Sequence, residues 1–197
     1  MIDSVPPVSA EQLISEFRHG EMVLLVLDQS DGEQTGVVAM AAEYCEAGHV
    51  TFMARQARGL VSLALTEERC EQLNLPPMVD PATSGAVKLS IEASTGIDTG
   101  ISAADRARTV QVAVAADAKP SDLVQPGHIF PVATLSGGVL IRTGAAEAGV
   151  DLATLAGLTP AAVFAEVLDA DGDLADAAAL VDFADKHDLT VGRVTDL

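Results

Sequence analysis

Three polar segments carry residues whose types and spacing could do chemistry. The first runs from Asp28 to Gly36, where Asp28, Asp31 and Glu33 follow an apolar run. Carboxylates at a strand end can hold a hard divalent cation or pass protons; a solvated turn is the competing reading. The second is Asp98-Thr99-Gly100-Ile101-Ser102-Ala103-Ala104-Asp105-Arg106. Thr99, Ser102 and the free amides of a helix start could hold an anion there. A capped helix in which Asp105 and Arg106 pair locally is the alternative. The third, Gly137 to Gly144, sets Arg142 between glycines ahead of another helix. A guanidinium fork so placed suits a phosphate, although no P-loop or dinucleotide fingerprint accompanies it; pairing of Arg142 with a neighbouring carboxylate, Glu147 being a candidate, is the alternative. His128, in Pro126-Gly127-His128-Ile129-Phe130-Pro131, sits between two prolines that predict a fixed loop. A structural histidine is the bland reading of that position.

Other polar features point nowhere. Asp169-Ala170-Asp171-Gly172-Asp173 has its glycine too early for a calcium loop and reads as a turn. His19, His49, His128 and His187 make no zinc spacing. Cys45 and Cys70 are too few for a disulfide framework or a zinc set.

The elements that must position these groups alternate from end to end. Ser9-Ala10-Glu11-Gln12 has capping-box spacing ahead of Leu13, Ile14 and Phe17 on one helical face, with Gly20 closing it. Met22 to Leu27 and Val37 to Ala42 are apolar runs of strand length. Val50 to Ala57 reads as helix, Leu60 to Leu65 as strand, and Thr66 as the start of a short charged helix. Val87, Leu89 and Ile91 alternate with Lys88, Ser90 and Glu92, which predicts a strand with one wet face. Ser102 caps a helix running to about Val114, and Ala146 to Ala156 is a small-residue helix ending at Gly157. Val163 to Leu168 and Thr190 to Val194 read as extended, and Leu174 to Lys186 as helical. Such alternation predicts a sheet covered on both faces.

Composition sets the outer bounds. The 197 residues are 49% hydrophobic, enough for a real core and too apolar for a disordered chain. With 29 Asp+Glu against 11 Lys+Arg and a net charge of −18, the surface would repel a phosphate backbone, so nucleic-acid binding is not expected. No run approaches the ~20 apolar residues of a membrane helix. No basic segment leads into an apolar one at the start, so a cytoplasmic chain is expected.

Taken in order, Phe52-Met53-Ala54, Ala57-Arg58-Gly59-Leu60, Leu63 to Cys70, Thr99 to Arg106, Pro126 to Pro131, Ala148 to Leu158 and Ala165-Glu166-Val167 resemble the 3,4-dihydroxy-2-butanone 4-phosphate synthase family. The resemblance runs from about Leu13 to Leu197. It implies an α/β fold: one domain over residues 1–197, a three-layer αβα sandwich with a mixed sheet, without the cyclohydrolase domain often fused to the family. It also implies a homodimer with sites near the interface, ribulose 5-phosphate as substrate, Mg²⁺ as cofactor and formate as second product. By the same resemblance Glu33 is a metal ligand, and Glu33, Asp28, His128 and Glu166 are acid–base candidates. Arg142, Thr99, Ser102, Asp105 and Arg106 stand at sugar and phosphate positions.

The chain departs from the family at the same sites. The family loop Asp-Asp-Glu-Asp-Arg-Glu-Asn-Glu-Gly-Asp becomes Asp28-Gln29-Ser30-Asp31-Gly32-Glu33-Gln34-Thr35-Gly36-Val37. The family's Arg-Ala-Gly-His-Thr-Glu-Ala becomes Arg142-Thr143-Gly144-Ala145-Ala146-Glu147-Ala148, so Ala145 replaces the metal-binding histidine and Ala146 the phosphate-binding threonine. Ser62 stands where the family has a cysteine. Mg²⁺ binding is therefore expected to be weakened. The expectation is a repurposed enzyme acting on a related phosphorylated sugar or keto-compound. A non-catalytic homologue that binds a ligand or partners an active synthase is the alternative, and a residual riboflavin-pathway synthase is a third reading.

Overall fold

The computed structural model describes residues 8–29, 32–79 and 86–197. Asp31 lies outside the described residues. Seven strands form one mixed sheet: β1 (Val23–Asp28), β2 (Gln34–Ala41), β3 (Ser62–Thr66), β4 (Ile91–Ala93), β5 (Leu123–Thr134), β6 (Ala161–Glu166) and β7 (Thr190–Arg193). Their order across the sheet is β4-β5-β3-β6-β2-β1-β7. The β1–β7 and β3–β5 pairs are parallel, and the remaining pairs antiparallel. Among the described residues six α-helices accompany it: α1 (Ala10–His19), α2 (Ala47–Phe52), α3 (Glu67–Gln72), α4 (Ala103–Val114), α5 (Ala145–Leu155) and α6 (Ala177–His187).

Alternation along the strands sorts the core into two layers. Val23, Leu25, Val37, Ala39, Ala64, Ala162 and Phe164 pack with α1 and α5 on one face. Leu24, Val26, Val38, Met40, Leu63, Leu65, Val163 and Ala165 pack with α2, α4 and α6 on the other. Both faces are buried, as the strand–helix alternation predicts. The small-residue helix earns its composition at Gly149, where an added Cβ would lie 2.6 Å from the Cβ of Ala162. Its backbone can therefore sit close on the sheet.

The caps read from sequence are present. Ser9 accepts from the Gln12 N–H at 3.4 Å, Thr66 from Arg69 at 3.1 Å and Ser102 from Asp105 at 3.0 Å. Gly20 ends α1 at φ 79°, in the left-handed region that glycine enters without Cβ strain.

Two expectations are corrected. Pro126 to Pro131 is not a loop: it lies inside β5, the longest strand. Prolines cannot donate to a ladder, yet Pro131 accepts there, its carbonyl receiving the Lys88 N–H at 2.9 Å. The 87–91 segment has no wet face either. Lys88 and Ser90 are both buried. The Lys88 ammonium meets Glu67 Oε1 at 2.7 Å, which offsets its desolvation. Only Ile91–Ala93 is continuous strand there, while Val87 and Lys88 form isolated bridges.

Candidate active site

On the α5 face the central strands end at a cavity of about 360 Å³, whose lining includes Leu60, Ser62, Phe130, Arg142, Ala145 and Glu166. Register explains the convergence. Ser62 lies opposite both Phe164 and Phe130, and Val37 lies opposite Glu166, so these side chains share one face. Glu166 is half-buried at the end of β6. A close backbone approach fixes its main chain, because a Cβ on Gly59 would fall 2.2 Å from the Glu166 carbonyl oxygen. Arg58 before it holds the left-handed conformation at φ 68°, following a π-helical turn over Met53–Ala57. Turns of that kind often mark functional sites. Across the β2–β6 pair Glu166 lies opposite the apolar Val37.

Arg142 does not present a fork. Its Nη2 donates to the Ala133 carbonyl at 3.2 Å and to Glu147 Oε1. Both bidentate faces of a guanidinium use an Nη2 proton, and these two bonds take both. Nε and Nη1 remain as single donors. Glu147 is 1% exposed, in the first turn of α5. Its Oε1 also accepts the Leu135 N–H at 3.1 Å, while Oε2 is buried without a hydrogen bond. The pairing of Arg142 with Glu147 is the alternative reading of that arginine, and it leaves a half-committed guanidinium in place of an open fork. Ala145 and Ala146 open α5 at the cavity wall and contribute no polar side-chain atom.

The Thr99–Arg106 segment is closed on itself. Asp105 Oδ2 accepts from Gly100 N at 2.9 Å and Thr99 N at 3.1 Å, and Oδ1 accepts from Asp98 N at 3.3 Å. Burial pushes the Asp105 carboxyl up, but the hydrogen bonds from Ser102 and the 98–100 backbone outweigh it and hold the group below its ordinary value. The 98–100 amides are therefore spent on Asp105, and the Asp105 N–H at the helix start is taken by Ser102 Oγ. Arg106 makes no pair with Asp105; its Nε is buried without a partner, and burial lowers its pKa.

His128 lies on β5, and its Nδ1 meets Glu92 Oε1 on β4. It stands two residues before Phe130, which lines the cavity. Glu92 is a functional candidate that sequence reasoning missed. Its only local signal was its polar place in the 87–92 alternation.

Asp28 and Glu33 lie elsewhere. Asp28 accepts from Gln34 Nε2 at 2.7 Å and from Thr195 Oγ1 at 3.3 Å, which explains it as a hairpin anchor. Glu33 is exposed and lines a separate depression of about 720 Å³ with Thr35, Asp176 and Asp182. Among the described residues no three His, Cys, Asp or Glu side chains come together to hold a metal. Ala145 offers no donor atom, and among the described residues Glu33 lines a different depression from Glu166.

A mixed sheet covered on both faces, with Glu166 and Arg142 lining one cavity on the α5 face, defines an α/β sandwich domain. The chain belongs to the 3,4-dihydroxy-2-butanone 4-phosphate synthase family, whose model matches residues 11–197. It is 53% identical over 190 residues to the synthase of that name from Pseudomonas syringae pv. tomato, covering 95% of this chain and 51% of that protein. Identity to the Pseudomonas aeruginosa protein is 47%, covering 95% and 52%. The chain spans about half the length of these relatives. Among solved structures it resembles a two-domain 3,4-dihydroxy-2-butanone 4-phosphate synthase from A. baumannii, with TM-score 0.89, 49% identity and coverage of 96% and 56%. A synthase structure in complex with two magnesium ions matches at TM-score 0.88 and 34% identity, covering 96% and 94%. No helix among the described residues is long and apolar enough to cross a membrane.

Proposed function

We propose that this chain is a residual synthase of riboflavin biosynthesis, which takes ribulose 5-phosphate into the cavity beneath α5 and releases formate slowly. The relatives carry the synthase name at 47–53% identity, which favours the pathway's own substrate over a repurposed reaction on another sugar phosphate. The observation that carries the reading is Glu166, held at the cavity by the Gly59 contact, with Arg142 on the same wall. Glu166 is one proton-moving group, and Arg142 supplies single charge-assisted donors to the phosphate. Val37, Ala145 and Ala146 cannot move a proton, and losing one acid–base group costs ~10²–10⁴ in rate. Against a median enzymatic turnover of ~10 s⁻¹, the expected rate is below about 0.1 s⁻¹. The domain over residues 1–197 acts as a homodimer in this reading. Leu140 and Ile141, 88% and 66% exposed just before Arg142, support a covered surface there.

A second reading, a non-catalytic ligand-binding homologue, is favoured by Ala145 and Ala146 at the cavity wall. Formate release from ribulose 5-phosphate, with and without Mg²⁺ in solution, separates the two. Slow release abolished by Glu166→Gln supports the synthase. Binding by calorimetry without any formate supports the binder, and release near ~10 s⁻¹ overturns the claim of impairment.

A further inference from the structure

We infer that Glu92 is the positioning residue for His128, accepting from its Nδ1–H and so leaving Nε2 bare as a proton acceptor. The two side chains are 36 residues apart in sequence and meet across the β4–β5 pair, Nδ1 to Oε1. A neutral imidazole carries one ring proton. A carboxylate at Nδ1 draws that proton to Nδ1 and fixes the ring's orientation, and the other nitrogen becomes the base.

The surroundings are shaped around this carboxylate. A Cβ on Gly100 would lie 1.8 Å from Glu92 Oε1, and one on Gly127 would lie 2.5 Å from Glu92 Cγ. Side chains are absent on both sides where the Glu92 chain passes. The β4–β5 register shifts between Ile91 and Glu92, and irregularities of this kind re-aim side chains beside active sites. Gly100 is in turn fixed by its N–H bond to Asp105 Oδ2, and Gly127 by its N–H bond to Ser90 Oγ at 3.1 Å. Asp105 thereby acts at one remove: it ties the 98–100 turn that backs Glu92. His128 is 42% exposed and Glu92 16%, so the imidazole meets solvent while its orienting partner is shielded.

In proton transfer the lone pair on Nε2 takes a proton from the bound ligand. The ring becomes imidazolium, with its new positive charge against Glu92, and the proton returns to the intermediate from Nε2. That step rests on the synthase reading; the tautomer does not.

The test is long-range ¹H–¹⁵N correlation of the full chain at a pH where the imidazole is neutral, with His128→Gln identifying the His128 signals. The expected spectrum has a protonated Nδ1 and an unprotonated Nε2, and Glu92→Ala moves the population toward the Nε2–H form. A wild-type ring that already carries its proton on Nε2, or a spectrum unchanged in Glu92→Ala, overturns the inference. If that variant fails to fold by circular dichroism, the wild-type tautomer alone decides. In the formate assay Glu92→Ala lowers kcat by ~10² or more with KM changed only a few-fold. Absence of turnover in the wild type would sink the synthase reading and leave the tautomer result standing.

Discussion

Replacing Arg142 with alanine removes the one charged partner that the buried Glu147 carboxylate has among the described residues. Glu147 is 1% exposed and its Oε2 has no hydrogen bond, so after the substitution only the Leu135 N–H, at 3.1 Å from Oε1, remains. Breaking one side of a buried pair costs about 3–5 kcal/mol, because the other charge stays desolvated. The N-terminus of α5 recovers only about 0.3–1 kcal/mol for a carboxylate in its first turn, too little to cancel that. At about 2–4 °C per kcal/mol for a chain of this size, Arg142→Ala should melt roughly 6–20 °C lower. Glu147→Gln added to it should restore most of the loss, since the amide oxygen still accepts from Leu135 and no charge is left buried. Urea unfolding of wild type, the single variant and the double variant measures this directly. A loss below about 1 kcal/mol, or a double variant no more stable than the single, would refute the argument and return Arg142 to a surface phosphate contact.

Gly59→Ala forces a Cβ to within 2.2 Å of the Glu166 carbonyl oxygen. It should cost at least about 1–3 kcal/mol by denaturant midpoint, with formate release falling further than stability alone explains. Because the Asp105 carboxyl is held below its ordinary value, its contribution is present above the unfolded pKa of about 3.9 and is lost as pH falls through the folded one. Urea midpoints between pH 2 and 7 should show a flatter acid limb for Asp105→Asn. Burial pushes the Cys45 and Cys70 thiols up to about 12. At pH 8 a disulfide reagent should therefore react with neither in the native protein and with both in urea.

Local signals in the sequence carried much of the architecture. Ser102 with Asp105 three residues on specifies the start of α4, and the alanine–glycine run of α5 specifies a helix that can lie close to a sheet. The apolar runs of β1 and β2, with helices and strands alternating along the chain, predict a sheet buried on both faces, and two core layers are found. These features depend on neighbours within one turn or one pleat, so residue order encodes them. β5 escaped because Pro126, Gly127 and Pro131 read as breakers. Its strand character comes from partners on β3 and β4 that its own residues do not name.

The site was legible only as a set of residue types. Arg142, Thr99, Ser102 and Asp105 stand out by kind and spacing, but their commitments are decided in three dimensions. Whether a guanidinium offers a fork depends on what else its protons meet, and here Ala133 and Glu147 meet them. Whether the 98–100 amides face solvent depends on whether a carboxylate has reached them first, and Asp105 has. Glu92 and His128 become partners only through the pairing of β4 with β5. Side-chain chemistry and short-range caps were therefore determined by the sequence itself. Which donors and acceptors remain free was decided by tertiary structure, because each buried polar group takes the nearest partner the fold supplies rather than one along the chain.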